Sequence, residues 1–216
     1  MASSASASGA SAGRQARRRE QTRASLVQAA RTLFARQGVE ATRINEITEE
    51  ADVGFGSFYN YFDSKEAIVT AVLEETVAAQ GGAIEAVTRH LEDPAEVVSV
   101  AHRYLVNLAR TDPDWGRLLV SLDASHSVML AALGPHAKRD LDRGIRSGRF
   151  KVPSRRVALF AAGGGLLAVM RAVLDGQAPS SADRDHAEGI LRLFGVPPEQ
   201  AHEVARRPMP ALQAAR

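Results

Sequence analysis

Thr42, Arg43, Asn45, Ser57, Tyr59, Asn60, Tyr61 and Lys65 fall within one stretch, Thr42 to Lys65. All of them can hydrogen-bond, and only Arg43 and Lys65 are cationic. A short, mildly basic set of this kind suits a helix laid in a DNA groove. Phe55 and Gly56 open the same run, GFGSFYNYF. Phe55 cannot hydrogen-bond a base edge, but it can touch a thymine methyl.

These side chains need elements to aim them. Ile44, Ile47 and Ala51 are spaced i, i+3 and i+7, which places them on one helical face. Asp52-Val53-Gly54 supplies a tight turn. Phe58 and Phe62 lie four apart on the following helix, expected over about Gly54 to Tyr61. With Val53 they can close a small core and leave the polar set pointing outward. Upstream, Leu26, Ala30, Leu33 and Phe34 form the apolar stripe of a helix from about Glu20 to Gln37, and Gly38 stands where a C-terminal cap is favoured. Thr42 is a plausible N-cap for the second helix, with a hydroxyl that can also meet a phosphate.

Charge points the same way. The 216 residues carry 27 basic and 25 acidic groups, a net +2, so overall charge does not imply nucleic acid. Residues 14–43, however, hold eight Arg against Glu20 and Glu40, a local balance of +6. A basic end on a near-neutral body is the electrostatic footprint of a DNA-binding end. Residues 1–13 are Met, Ala, Ser and Gly, too poor in apolar surface to offset the cost of ordering, so residues 1–19 are expected to form a disordered basic arm.

The rest of the chain reads as helices. Asp63 and Glu66 mark the start of a fourth, weakened at Gly81-Gly82. Asp93-Pro94 and Asp112-Pro113 each signal a new helix. A further pattern follows Ser127 to about Ser147, with a break at Gly134-Pro135. Long or amphipathic helices follow over Pro153–Asp175 and Asp183–Gly195, then a short one to Arg207. No stretch alternates with period two. The fold class expected is all-α, about nine helices.

Several functions have no support. There is no Cys, so disulfides and thiolate metal sites are excluded. The six His (His90, His102, His126, His136, His186, His202) show no paired ligand spacing, and no nucleophile elbow or phosphate-binding loop is present. Neither a cofactor, a metal nor a catalytic residue is expected. The apolar run Val157 to Met170 is shorter than the roughly 20 residues that span a bilayer, so it is expected to be a buried core helix and no membrane contact is expected. The N-terminus lacks an apolar signal region, which fits a cytoplasmic location. Gly163-Gly164-Gly165 follows no strand; it lets another helix approach or leaves room for a ligand.

The order LFARQG, then Thr42, then INEITEEADV and GFGSFYNYFDSKEAI resembles the N-terminal helix-turn-helix of TetR-type transcriptional regulators, over about residues 20–68. The resemblance implies a three-helix DNA-binding domain (20–66), an effector-binding and dimerisation domain (67–208) and a short tail (209–216). It implies a homodimer on a palindromic double-stranded operator, released by a small, mostly hydrophobic molecule. Thr42, Arg43 and Lys65 match positions that meet backbone phosphate, and Asn45 matches a base-reading position. Ser57, Tyr59, Asn60 and Tyr61 match the recognition helix. Asp52 stands where the family usually has Gly, and Gly54-Phe55 replaces a common polar pair. Tyr104, Asn107, Trp115, Leu119, His126, Met129, Phe160 and Met170 lie on helices that line the family's effector pocket. The alternative is an architectural DNA binder without a specific operator.

Overall fold

The computed structural model describes residues 5–121 and 134–210, and among these the chain forms ten helices and no strand. They are α1 (Ala5–Gln37), α2 (Ile44–Glu50), α3 (Phe55–Phe58), α4 (Lys65–Thr88), α5 (Pro94–Thr111), α6 (Pro113–Ser121), α7 (Gly134–Arg146), α8 (Arg155–Leu174), α9 (Ala182–Leu193) and α10 (Pro198–Arg206). The chain divides into two compact units, residues 1–72 and 73–216, with the boundary inside α4.

The first unit closes on the apolar stripe of α1. Leu26, Ala30, Leu33 and Phe34 are buried, together with Ile47, Phe58, Phe62 and Ile68. Gly38 sits at φ 83°, and its N–H donates to the Phe34 carbonyl over 3.0 Å, which ends the helix. The start of α1 differs from expectation. Helix continues back to Ala5 where residues 1–19 were expected to be disordered. Ala and Arg are good helix formers, and lengthening an existing helix needs no new nucleus, which carries it through the weaker Ser and Gly positions.

The second unit is organised around α5. Asp93 caps it by accepting from the Ala95 N–H at 2.9 Å, and Pro94 fills the first position. Asp112 does the same for α6 through the Trp115 N–H at 3.0 Å. One core joins Ala95 and Val98 of α5, Leu141 of α7, Ala158 and Ala162 of α8, Ile190 and Leu191 of α9, and Ala201 and Val204 of α10. Phe150 packs edge-on against Phe194, with ring centroids 5.2 Å apart. Gly144 permits this: a Cβ there would stand 1.9 Å from the Phe150 ring.

Helix α4 runs through Gly81-Gly82 and is continuous to Thr88. One expectation changes here: α8 is not a buried core helix. Only its Ala158, Ala162, Leu166 and Met170 stripe is buried, while Val157 and Phe160 are exposed. The i, i+4 spacing of the buried set leaves the other apolar faces of the helix uncovered. Leu193 of α9 is also exposed.

Candidate functional site

The helix-turn-helix is built by short-range chemistry. The Arg43 N–H donates to Glu46 Oε2 at 2.7 Å, tying the first turn of α2. That bond, with one from Gln37, holds the Glu46 carboxyl below its usual range. Asp52 takes φ 54°, the left-handed geometry that Asp tolerates better than most, and the Val53 N–H returns to the Thr48 carbonyl at 2.9 Å. The chain thus reverses within a few residues and sets α3 against α2.

Here α3 is a single turn, Phe55–Phe58, not a helix to Tyr61. Asn60 and Tyr61 donate to the carbonyls of Ser57 and Phe58, three residues back, at 3.1 and 2.9 Å. Gly54 and Gly56 lower helix propensity at its start, which accounts for the tighter continuation. Phe58 is fully buried and anchors the turn. Phe55 and Tyr59 project outward, 53% and 50% exposed, and meet edge-to-face with centroids 5.9 Å apart. Gly56, Asn60, Asn45 and Arg43 are exposed, and Ser57 and Tyr61 are half-buried.

Two candidates are engaged with the protein itself. Thr42 is buried, its hydroxyl donating to the Gly38 carbonyl at 2.7 Å. It therefore closes the end of α1 and presents no hydroxyl to a phosphate, and Arg43 takes the N-cap position of α2. The Lys65 ammonium reaches the Glu40 carbonyl at 3.2 Å.

Sequence reasoning placed the basic arm beside the motif without naming its contacts. The Arg19 guanidinium donates to the Asn60 carbonyl at 3.3 Å and lies 5.9 Å from the Tyr61 ring centre. Arg23 covers Phe62 at 5.3 Å. Arg18, Arg19 and Thr22 of α1 face Asp52, Gly54, Ser57 and Asn60 across an open groove of about 580 Å³. Cations, hydroxyls and an amide on one concave surface can hold phosphate and base edges together.

The second unit holds a cavity of about 130 Å³. Its walls are Ile84, Val98, Leu105, Leu159, Leu166 and Phe194, from α4, α5, α8 and the end of α9. Gly81 and Gly163 also line it. The polar groups are Glu85, Thr88, His102, His136, Arg139 and Asp140. Arg139 pairs with Glu85 at 3.0 Å and stands 3.6 Å from Asp140, while His136 is 3.4 Å from Glu85. Burial raises the Asp140 carboxyl despite the opposing pull of Arg139. His102 Nδ1 lies 3.0 Å from His186 Nε2. Burial, with His186 beside it, pushes His102 down to about 3, and burial pushes His186 down to about 4. Both rings are neutral at pH 7. His102 keeps some accessible surface because one side of it faces the cavity.

The described pocket residues expected from the sequence lie outside this cavity. Tyr104 donates to Gln80, and Asn107 to Asp183 at 3.3 Å. Trp115, Leu119 and Met170 are buried in packing, and Phe160 is exposed on α8. His126 and Met129 lie outside the described residues. None of the six described candidates lines this cavity. The signal that points to His102 was present: Val98, His102 and Leu105 are spaced i, i+4 and i+7, a polar side chain on an apolar stripe.

Comparison with known proteins agrees with both units. Residues 26–72 match the model described as bacterial regulatory proteins, tetR family, and residues 93–207 match the tetracyclin repressor-like C-terminal domain. The HTH-type transcriptional repressor KstR2 of Rhodococcus jostii (strain RHA1) is 43% identical over 51 residues, which are 24% of this chain and 25% of KstR2. The chain thus spans about a quarter of that curated relative. A crystal structure of RolR in complex with resorcinol is 39% identical, with a TM-score of 0.83, covering 92% of this chain and 100% of RolR. RolR without ligand gives 38% and 0.80, over 88% and 100% of the two chains. Bacillus subtilis FadR in complex with stearoyl-CoA shares the fold at 19% identity and a TM-score of 0.60, over 79% of this chain and 96% of FadR. With both of its units matched, and a solved relative matched along its whole length, the chain belongs to the TetR family of helix-turn-helix transcriptional regulators.

Proposed function

We propose that this protein is a homodimeric cytoplasmic repressor that binds a palindromic operator and leaves it when a one-ring hydroxylated aromatic compound enters the cavity of the second unit. The observation that carries the ligand class is the cavity itself. At about 130 Å³ it is close to the roughly 150 Å³ apolar cavity that holds a benzene ring, and far below pockets for long ligands. Polar groups in its lining suit hydroxyls on such a ring. RolR, whose solved complex contains resorcinol, supports the same class.

DNA contact is assigned to Arg43, Asn45, Phe55, Gly56, Ser57, Tyr59, Asn60 and Tyr61, with the arm supplying attraction to phosphate. Lys65 and Thr42 act by holding the motif. The exposed apolar faces of α8 and α9 take a second copy of the chain, which places two recognition segments for successive major grooves. Ligand binding favours a state in which that spacing is lost. Gly81, Ile84, Glu85 and Thr88 of α4 line the cavity, and the same helix begins at Lys65 beside the recognition turn. It is the natural carrier of the signal.

The test is fluorescence anisotropy on DNA from upstream of the protein's own gene, with excess random competitor. Operator binding that survives competitor and is lost on adding resorcinol is expected. A Gly163→Leu variant, with the cavity filled, should bind operator and ignore resorcinol. Equal displacement by random DNA would instead favour an architectural binder.

A further inference from the structure

We propose that His102, backed by His186, reads one hydroxyl of the aromatic ligand inside the cavity and makes hydroxylation the selected feature. This rests on the reading of the cavity as the effector site. His102 lines the cavity from α5, and its Nδ1 is taken by His186 of α9. Among the described residues its Nε2 has no partner.

The pair is a two-position device. Both rings are neutral, so each carries one N–H and one bare nitrogen. If His102 Nδ1 donates to His186 Nε2, the His102 Nε2 is a bare acceptor. If Nδ1 accepts, Nε2 carries the proton and donates. A ligand hydroxyl that donates to Nε2 selects the first arrangement, leaves His186 Nε2 bare and puts the His186 proton on Nδ1. The rings meet edge to edge, with centroids 5.0 Å apart and planes tilted by 50°, so the contact is a hydrogen bond and not a stack. Gly165 of α8 lies beside the pair: a Cβ there would stand at ordinary contact distance, 3.6 Å, from His186 Cε1.

The Glu85, His136, Arg139 and Asp140 group is a second polar region of the cavity among the described residues. A ring with two hydroxyls satisfies both regions, a ring with one satisfies either, and a bare ring satisfies neither. A site built to hydrogen-bond a hydroxyl rejects the analogue that lacks it, because its own polar group is left unpaired.

The experiment uses the full-length protein titrated calorimetrically with resorcinol, phenol and benzene. The wild type should rank them in that order. In His102→Phe the advantage of resorcinol over phenol should fall about ten-fold while benzene affinity is kept, since one neutral hydrogen bond is lost. His186→Phe should give a smaller loss of the same kind. Nitrogen-15 spectra of the wild-type imidazoles provide a readout that needs no variant. Saturation with resorcinol should place the proton on Nδ1 of both rings. Unchanged discrimination in His102→Phe, or unchanged ring nitrogens on saturation, overturns the role of His102 and leaves the cavity reading standing. A wild type that binds none of the three compounds overturns the cavity reading and the proposal with it.

Discussion

Arg103 Nε stands 3.2 Å from Asp183 Oδ2, and both side chains are about nine-tenths buried between α5 and α9. The same carboxylate accepts from Asn107 at 3.3 Å and lies 3.8 Å from Arg110, while Arg103 also donates to the Arg207 carbonyl at 2.7 Å. Removing one member leaves a buried guanidinium uncompensated. Asp183→Ala should therefore cost about 3 kcal/mol of unfolding free energy, read by urea titration. The double variant Arg103→Met, Asp183→Leu should recover most of that. A loss below about 1 kcal/mol in the single variant would mean that water replaces the carboxylate.

The His102–His186 pair gives acid sensitivity with a fixed sign. Both rings have folded values, about 3 and about 4, below the ordinary 6.5. The unfolded chain binds protons first, so the stability is present above pH 6.5 and is lost as pH falls towards 4. The slope is at most about 1.4 kcal/mol per ring per pH unit. Replacing both with Phe should flatten the stability profile between pH 6.5 and 4. An equally steep profile in the double variant would assign the effect to other groups.

Local signals were legible and convergent ones were not. The Leu26–Phe34 stripe, the caps at Asp93 and Asp112 and the C-terminal glycine at Gly38 depend on residues within one or two turns, and each stands where the spacing places it. The cavity depends on four stretches far apart in sequence, around Glu85, His102, Arg139 and Gly163. Large residues such as Trp115 and Met170 were natural candidates for a pocket, yet large residues fill space. A cavity opens where atoms are missing, as at Gly81 and Gly163. The Thr42 N-cap was misplaced for another reason: composition cannot say which partner a hydroxyl takes, and this one donates to the Gly38 carbonyl while Arg43 takes the cap position.

Tyr59 is half exposed and meets the rings of Phe55 and Phe58 edge-to-face, at centroid distances of 5.9 and 5.4 Å. Tyr59→Ala should leave the melting temperature nearly unchanged, with a stability loss within about 1 kcal/mol. Operator affinity should fall ten-fold or more while binding to random DNA changes little. Retained operator affinity would remove Tyr59 from the interface.

Asp52 is the one non-glycine residue at positive φ among the described residues. Asp52→Gly should be neutral or stabilise slightly, since glycine enters this region without a Cβ clash. Asp52→Val should cost about 1–2 kcal/mol, because a β-branched side chain resists the left-handed region. Thermal melts of the two variants decide it; similar stabilities would show that the turn relaxes to another geometry.

Arg19 and Arg18 are neighbours on α1 with different tasks. The Arg19 guanidinium is held by the Asn60 carbonyl and the Tyr61 ring, so it supports the recognition turn. Arg18 lines the open groove and is exposed, free to meet a phosphate. Neutralising a phosphate-contacting cation reduces the slope of log affinity against log salt by about one. Arg18→Ala should therefore weaken operator and random DNA alike and lower that slope. Arg19→Ala should weaken operator binding selectively and change the slope less, because its guanidinium sits on the Asn60 carbonyl and the Tyr61 ring rather than on a phosphate. Anisotropy titrations at several salt concentrations separate the two, and equal slopes for both variants would merge their roles.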